Sequence, residues 1–351
     1  MSLKIGLTYN LKGQSIASLG LPVDFDAEFD DETTVDAIAV ALKRSGCKVV
    51  RIEADENAYG KLNKINPEIV FNIAEGLGGE SRESQIPAML EMLGIPYTGS
   101  GPLTLAIALD KSLTHIVLSS LGVPSPSFQV LRDKNEDLDK ELAFPLVVKP
   151  LAEGSSKGIT NSSLVNDTRS LRSQLSIITE KYKQPAIVEE FLPGREFTVG
   201  LIGNDEPTIL PIVEILLEKL PEGVSQLYSY EAKWVWDTPE KPLDIFCCPA
   251  ELDQELEGEI KDIAVRTFKV LGCKDLCRTD IRLDVNGEPH VIEVNPLPGL
   301  IPDPNAHSCL PEAARTAGFT YDQLICTILW QGLKRYDMQG RFENHSLIKI
   351  A

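Results

Sequence analysis

The chain has 351 residues, 43% hydrophobic and 25% charged, with a formal net charge of −18. That length exceeds one typical core and fits two or three packed domains. The acidic balance argues against nucleic-acid and anionic-membrane partners, both of which need a basic footprint. No apolar run approaches the roughly 18 residues that span a bilayer, and the N-terminus enters a strand at once without a secretory signal pattern, so a cytoplasmic protein is expected. The seven cysteines fit neither a disulfide framework nor a common zinc signature. His115, His290, His307 and His345 are scattered, which speaks against a His-based metal site.

Residues 3–9 alternate as a short strand and lead into a polar, Asp-rich loop ending near Asp31. Thr33 or Thr34 is the expected cap of a helix from Val35 to Lys43 that stops near Gly46. Strands are predicted over 48–52 and 67–72, and a helix carrying Ile86, Met89, Leu90 and Leu93 ends at Gly94. This alternation predicts a parallel α/β unit of about 100 residues. The Gly-rich loop 75–80 follows its third strand, where loops of an open parallel sheet line the ligand crevice; a plain connector explains it equally well. Residues 146–150 read as a short buried strand ending in Lys149, followed by Glu153-Gly154-Ser155-Ser156-Lys157-Gly158. Lysine next to small residues suits a phosphate cradle, although a surface turn is the bland reading and the Walker spacing is absent. The strand over 186–192 and the one after Pro193-Gly194 read as a hairpin. The aromatic and charged stretch 218–240 reads as a lid loop. An amphipathic helix is predicted over 255–271, with closing helices over 311–317 and 321–336.

Residues 277–296 carry the sharpest signal. Two alternating runs flank Asn286-Gly287, which predicts a hairpin with a two-residue turn. That register sets Val285 opposite Glu288, Asp280 opposite Glu293 and Arg278 opposite Asn295. Period two then gathers Arg278, Asp280, Glu293 and Asn295 on one face, with Ile281, Leu283, Val285, Ile292 and Val294 on the core face. Facing carboxylates destabilise a sheet unless a positive charge lies between them. Two carboxylates and an amide oxygen are hard donors that suit Mg²⁺, and Mg²⁺ suggests a polyphosphate. A solvated charged face explains neither the acidic pair nor the Asn-Pro-Leu-Pro-Gly that follows.

Taken in order, these pieces resemble the ATP-grasp ligases, and among them the D-alanine–D-alanine ligases, over nearly the whole chain. The resemblance rests on Gly94-Ile95-Pro96-Tyr97-Thr98-Gly99-Ser100-Gly101 with Leu109-Asp110-Lys111, Val148-Lys149-Pro150 with Glu153-Gly154-Ser155-Ser156, Glu189-Glu190-Phe191-Leu192 with Gly194-Arg195-Glu196, Glu231-Ala232-Lys233-Trp234, and Arg278-x-Asp280 with Glu293-x-Asn295, Pro298-Gly299 and His307-Ser308. It implies an α/β ATP-grasp fold: an N-terminal α/β unit over 1–103, a central lobe over 104–200 and a C-terminal lobe over 201–351. It implies a carboxylate–amine ligase working through an acyl phosphate, with ATP and two Mg²⁺ (Mn²⁺ as an alternative), amino-acid substrates and a homodimer. Lys111, Lys149 and Ser156 would hold the phosphates, the backbone near Glu189 and Leu192 would read adenine, and Glu196 would bind the ribose. Asp280, Glu293 and Asn295 would hold the metals. Arg278 and the Gly299 N–H would stabilise the oxyanion, Ser155 would sit in the loop over the reacting groups, and Lys233 would close on the phosphate.

The departures fall in the amino-acid pockets. Glu28 and Glu32 are both candidates for the glutamate that binds the first amino group. Glu75-Gly76 stands where the family has His-Gly, and Arg82 where it usually has Gly. Trp234 replaces a Tyr that hydrogen-bonds the serine matching Ser155; an indole has one donor and no acceptor, so that network must differ. Extra residues precede Ser308. Substrates other than two D-alanines are therefore a live alternative. Two readings from other classes are a nucleotide-binding regulator without chemistry, which the oxyanion arginine argues against, and a kinase-like phosphotransferase, which would release ADP without an amine.

Overall fold

The computed structural model describes residues 2–13, 22–236, 243–306 and 308–349. Among these residues three sheets follow one another in chain order. In the first, β1 (Lys4–Tyr9) lies between β2 (Lys48–Glu53) and β3 (Ile69–Asn72), all parallel. The central strand is almost wholly buried, as expected of a parallel sheet covered on both faces. α1 (Glu32–Arg44), α2 (Ala58–Ile65) and α3 (Gln85–Leu93) cover it. The cap of α1 is Asp31, whose Oδ1 accepts from the Thr34 N–H at 2.8 Å; it lies two residues before Thr33 and three before Thr34, the caps expected from sequence. α2 was not legible as a periodic segment; its eight residues bury only Ala58 and Leu62.

α4 (Pro102–Leu109) and α5 (Lys111–Ser120) lead to the second sheet. There β4 (Phe128–Leu131), β5 (Leu146–Pro150), β6 (Leu164–Val165) and β7 (Ala186–Glu190) run antiparallel in the order β4-β7-β5-β6, backed by α6 (Thr168–Ile177). The third sheet holds β8 (Glu196–Gly203), β9 (Thr208–Ile209), β10 (Val213–Ile215), β11 (Phe246–Cys247), β12 (Asp275–Leu283) and β13 (Pro289–Asn295), in the order β11-β10-β8-β12-β13 with β9 beside β8. β7 and β8 therefore do not form the predicted hairpin. The chain crosses from one sheet to the other over residues 191–195. Gly194 is the tight point, since a Cβ there would lie 2.6 Å from that of Leu283. β8 starts at Glu196, so the expected boundary at residue 200 falls inside a strand.

α7 (Gln254–Val270), α8 (Cys309–Thr316) and α9 (Tyr321–Arg335) are the remaining α-helices among the described residues. α9 returns to α1, and Ile38, Leu42, Ile325 and Leu329 share one core. Arg335 pairs with the buried Asp275 at 2.8 Å and donates to the Tyr97 and Gly99 carbonyls, which ties the first sheet to the third.

The hairpin β12–β13 has the predicted register where it matters: Asp280 faces Glu293 and Arg278 faces Asn295. It reaches that register by another route. The loop has three residues, closed by the Gly287 N–H to the Asp284 carbonyl at 3.2 Å, with Gly287 at φ +87°, and Asp284 pairs with Glu288. That offset moves the pairing by one residue. A bulge at Ile292, where Asp280 faces Glu293 but Ile281 faces Val291, moves it back. Two side chains expected in the core are displaced as a result. Val285 is 81% exposed at the loop, and Ile292 lines the cleft described next. Val291 takes the core position beside Ile281 and Leu283.

Candidate active site

A cleft of about 330 Å³ lies between the second and third sheets and is closed at one end by the N-terminal unit. All the expected site residues line it except Glu32 and Arg82. His307, included in the resemblance, and part of the loop before Asp31 lie outside the described residues.

The hairpin supplies the charged floor. Arg278 grips Asp280 with two bonds, Nε to Oδ1 at 3.0 Å and Nη2 to Oδ2 at 2.9 Å; Thr198 on β8 also donates to Asp280. Glu293 meets Lys111 at 3.0 Å. Each facing carboxylate thus has its own cation, as their opposition on the sheet requires. Seclusion from water would raise the Glu293 pKa, but Lys111 and Arg278 bring it below the ordinary value. Asn295 turns its Oδ1 to the Leu297 N–H at 2.9 Å. Among the described residues no group of three Asp, Glu, His or Cys side chains forms a metal cage. The donor set here is two carboxylates and one amide oxygen, all hard, which fits Mg²⁺ that keeps other positions for water and phosphate.

The second sheet supplies the roof. Lys149, the penultimate residue of β5, pairs with Glu189 of β7 at 2.6 Å. His115, one turn after Lys111 on α5, lies 3.1 Å from the other Glu189 oxygen. Burial opposes the Glu189 charge, but Lys149 and His115 hold its pKa down to about 2. Glu196, at the start of β8, pairs with Arg282 at 3.1 Å; burial nonetheless raises its pKa. Arg282, Thr198 and His115 were not singled out from sequence. Arg282 follows Asp280 by one strand period and His115 follows Lys111 by one helical turn, so both spacings carried a usable signal.

Over the opening stand Ser155, Ser156 and the segment 228–234. Ser155 and Ser156 both adopt positive φ, +49° and +59°. Ser156 Oγ donates to the Tyr228 carbonyl at 2.9 Å, and the Trp234 Nε1–H donates to the Ser155 carbonyl at 3.3 Å. Burial and Arg278 both lower the Lys233 pKa. Two cations thus face one cleft, a repulsion that an anionic guest relieves. Gly299 and Ser308 lie at the far edge, joined by Ser308 Oγ–H to the Gly299 carbonyl at 3.1 Å.

At the N-terminal end the two candidate glutamates separate. Glu32 pairs with Arg51, is 57% exposed and does not line the cleft. The Glu28 side chain is only 4% exposed and is engaged by Arg82 and Lys157. Burial would raise its pKa, but those cations hold it near 2. Arg82 stands behind Glu28 rather than in the cleft, donating to the Ala152 carbonyl at 2.9 Å. Asp30 and Glu75 line the same end. Burial pushes Asp30 to about 7, and burial with the nearby Glu83 and Glu28 raises Glu75 well above its ordinary value.

A family model described as D-ala D-ala ligase C-terminus matches residues 117–330. The chain belongs to the D-alanine–D-alanine ligase family. A family relative named D-alanine–D-alanine ligase, from Mannheimia succiniciproducens, is 33% identical over 85% of this chain and 91% of its own length. The uncharacterized protein y4sG of Sinorhizobium fredii is 39% identical over 87% of this chain and 89% of its own. A crystal structure of D-alanine–D-alanine ligase from Bacillus anthracis complexed with ATP is 25% identical, covers 97% of this chain and 100% of that one, and superposes with a TM-score of 0.71. The fold is the α/β ATP-grasp fold of that family, with the cleft between its two antiparallel lobes. Among the described residues no helix is long and apolar enough to cross a membrane.

Proposed function

We propose that this chain is an ATP-dependent ligase that joins a carboxylate to an amine through an acyl phosphate, acting on amino acids, with a D-alanine pair as the simplest case. The observation that carries the reading is the double cation–carboxylate arrangement on the hairpin, Arg278 with Asp280 and Lys111 with Glu293, facing Lys149 and Lys233 across one cleft. A nucleotide-binding regulator has no use for the Arg278 placement.

Lys111, Lys149 and Ser156 hold the ATP phosphates, the backbone near Glu189 and Leu192 reads adenine, and Glu196 takes the ribose hydroxyls. Asp280, Glu293 and Asn295 would hold two Mg²⁺, or Mn²⁺, which would screen the phosphate charge. The terminal phosphoryl group of ATP passes to a substrate carboxylate oxygen, releasing ADP. The amine nitrogen then bonds to the acyl carbon as the carbon–oxygen bond to phosphate breaks. Arg278, with the Gly299 N–H, stabilises the oxyanion formed on the way. Lys233, Ser155 and Trp234 close the opening and keep water from the acyl phosphate. Glu75 and Ser308 contact the amino-acid substrates. The net charge of −18 supports small-molecule rather than nucleic-acid partners. A cytoplasmic homodimer completes the reading.

The test is phosphate release across D- and L-amino acid pairs, with product mass measured. A dipeptide mass accompanied by stoichiometric phosphate supports the ligase. ADP release independent of any amine transfers the reading to a phosphotransferase, and no nucleotide turnover with any pair overturns it.

A further inference from the structure

The loop 151–158 is fastened along its outer edge by residues far away in sequence. Arg82 Nη1 donates to the Ala152 carbonyl at 2.9 Å, and Arg82 Nη2 donates to both Glu28 oxygens at 2.9 Å and reaches Glu153 at 3.3 Å. Glu28 also accepts from the Gly154 backbone N–H and pairs with Lys157 at 3.1 Å. Asp24, four residues before Glu28, accepts from the Gly158 N–H at 2.9 Å and the Tyr182 hydroxyl at 2.6 Å. The residues within this run that line the cleft are Ser155 and Ser156, and both hold a left-handed backbone that a free loop would leave.

The centre of this fastening is one pair. The side chains of Arg82 and Glu28 are 9% and 4% exposed. Losing one partner of such a pair leaves a buried charge unanswered, which is far costlier than losing a surface bridge. The pair joins three segments that share no secondary structure: the loop before α1, the loop after β3 and the loop after β5. It uses a planar guanidinium that bonds a carboxylate and a backbone carbonyl at once, a geometry that lysine does not reproduce.

We propose that Arg82 is a positioning residue for the nucleotide: through Glu28 it holds the loop 151–158 closed, so that Ser155 and Ser156 stand over the cleft before ATP arrives. The inference rests on the reading above that this loop covers the phosphates. A loop already held in its binding conformation spares the nucleotide the cost of ordering it. If the loop is released, apparent affinity falls by the fraction of time it spends closed.

The experiment measures binding of Mg²⁺ with a non-hydrolysable ATP analogue to the wild type, Arg82→Ala, Arg82→Lys and Gly154→Ala, together with amide exchange and the KM values for ATP and for the amino acids. A Cβ on residue 154 would lie 2.7 Å from Glu28 Oε1, so Gly154→Ala pushes Glu28 off the loop backbone with every charge kept. Arg82→Ala and Gly154→Ala are expected to weaken analogue binding about tenfold or more. The ATP KM should rise by the same factor, kcat should change far less, and faster exchange should be confined to amides 152–158. Arg82→Lys should recover part of the loss. Wild-type affinity and exchange in Gly154→Ala and Arg82→Ala would overturn the inference. So would a loss of kcat with the ATP KM unchanged, or loosening spread over the whole chain. If Arg82→Ala does not fold, Gly154→Ala decides alone. A wild type that binds no analogue would instead remove the assignment of the loop, and this inference with it.

Discussion

Trp234 donates its indole N–H to the backbone carbonyl of Ser155 at 3.3 Å. Lys12 lies 4.4 Å over the same ring, so the indole bridges the N-terminal unit and the loop over the cleft. The Ser155 hydroxyl is left out of this contact, as expected when a donor-only ring stands in place of a phenol. Trp234→Tyr brings a hydroxyl that both donates and accepts. The expected result is a change of about tenfold or more in the relative kcat/KM of competing amino acids, with the ATP KM nearly constant. Steady-state kinetics over a small amino-acid panel checks it; a larger effect on ATP than on the amino acids would place Trp234 with the nucleotide.

Glu293 is opposed by Asp280 and answered by Lys111. Glu293→Gln keeps the shape and one oxygen donor but removes the charge. Turnover should fall by at least about 100-fold if the carboxylate helps to hold the metal. Chelation of divalent ions should silence the wild type, with Mg²⁺ or Mn²⁺ restoring it. ADP release by the variant at the wild-type rate would refute the metal assignment.

Lys149 shares Glu189 with His115. Lys149→Ala removes a phosphate partner and leaves Glu189 with His115 alone. ATP affinity should drop by about 10- to 100-fold, the scale of one charge-assisted contact, while amino-acid KM values move much less. Calorimetric titration of nucleotide and of amino acid separately would show the contrast, and the reverse pattern would take Lys149 out of the phosphate site.

Glu83 is buried in the connection between β3 and α3, and burial lifts its pKa from 4.5 to about 8. In the unfolded chain the same carboxyl ionises near 4.5, so within that window the folded state binds the extra proton. Its contribution to stability is complete below the lower value and is lost as pH rises toward about 8. Glu83→Gln stays neutral throughout. Its Tm should therefore fall less steeply than that of the wild type between about pH 5 and about pH 8. Parallel Tm profiles for the two proteins would contradict the buried neutral carboxyl.

The parallel alternation of β1, β2 and β3, the helix stop at Gly94, the amphipathic α7 and the pairing of Asp280 with Glu293 were all legible from sequence. Each depends on local periodicity, a turn residue or chain neighbours. Even there the pairing emerged through two offsets that cancel, a three-residue loop and a bulge at Ile292. Pattern alone does not distinguish these from a two-residue turn, because each shifts the register by one residue and together they restore it. The separation of β7 from β8 was not legible, since two strands joined by a Pro-Gly look the same whether they share a sheet or leave one for another. Neither was the fate of the N-terminal acids. The chain by itself determined that carboxylates, lysines and an arginine of the right kinds were present in a ligase order. Only the tertiary structure decided that Glu32 would be spent on Arg51 at the surface and Glu28 on Arg82, 54 positions away. Ion pairs between distant loops are set by which surfaces the folded sheets bring together, and no local period encodes that.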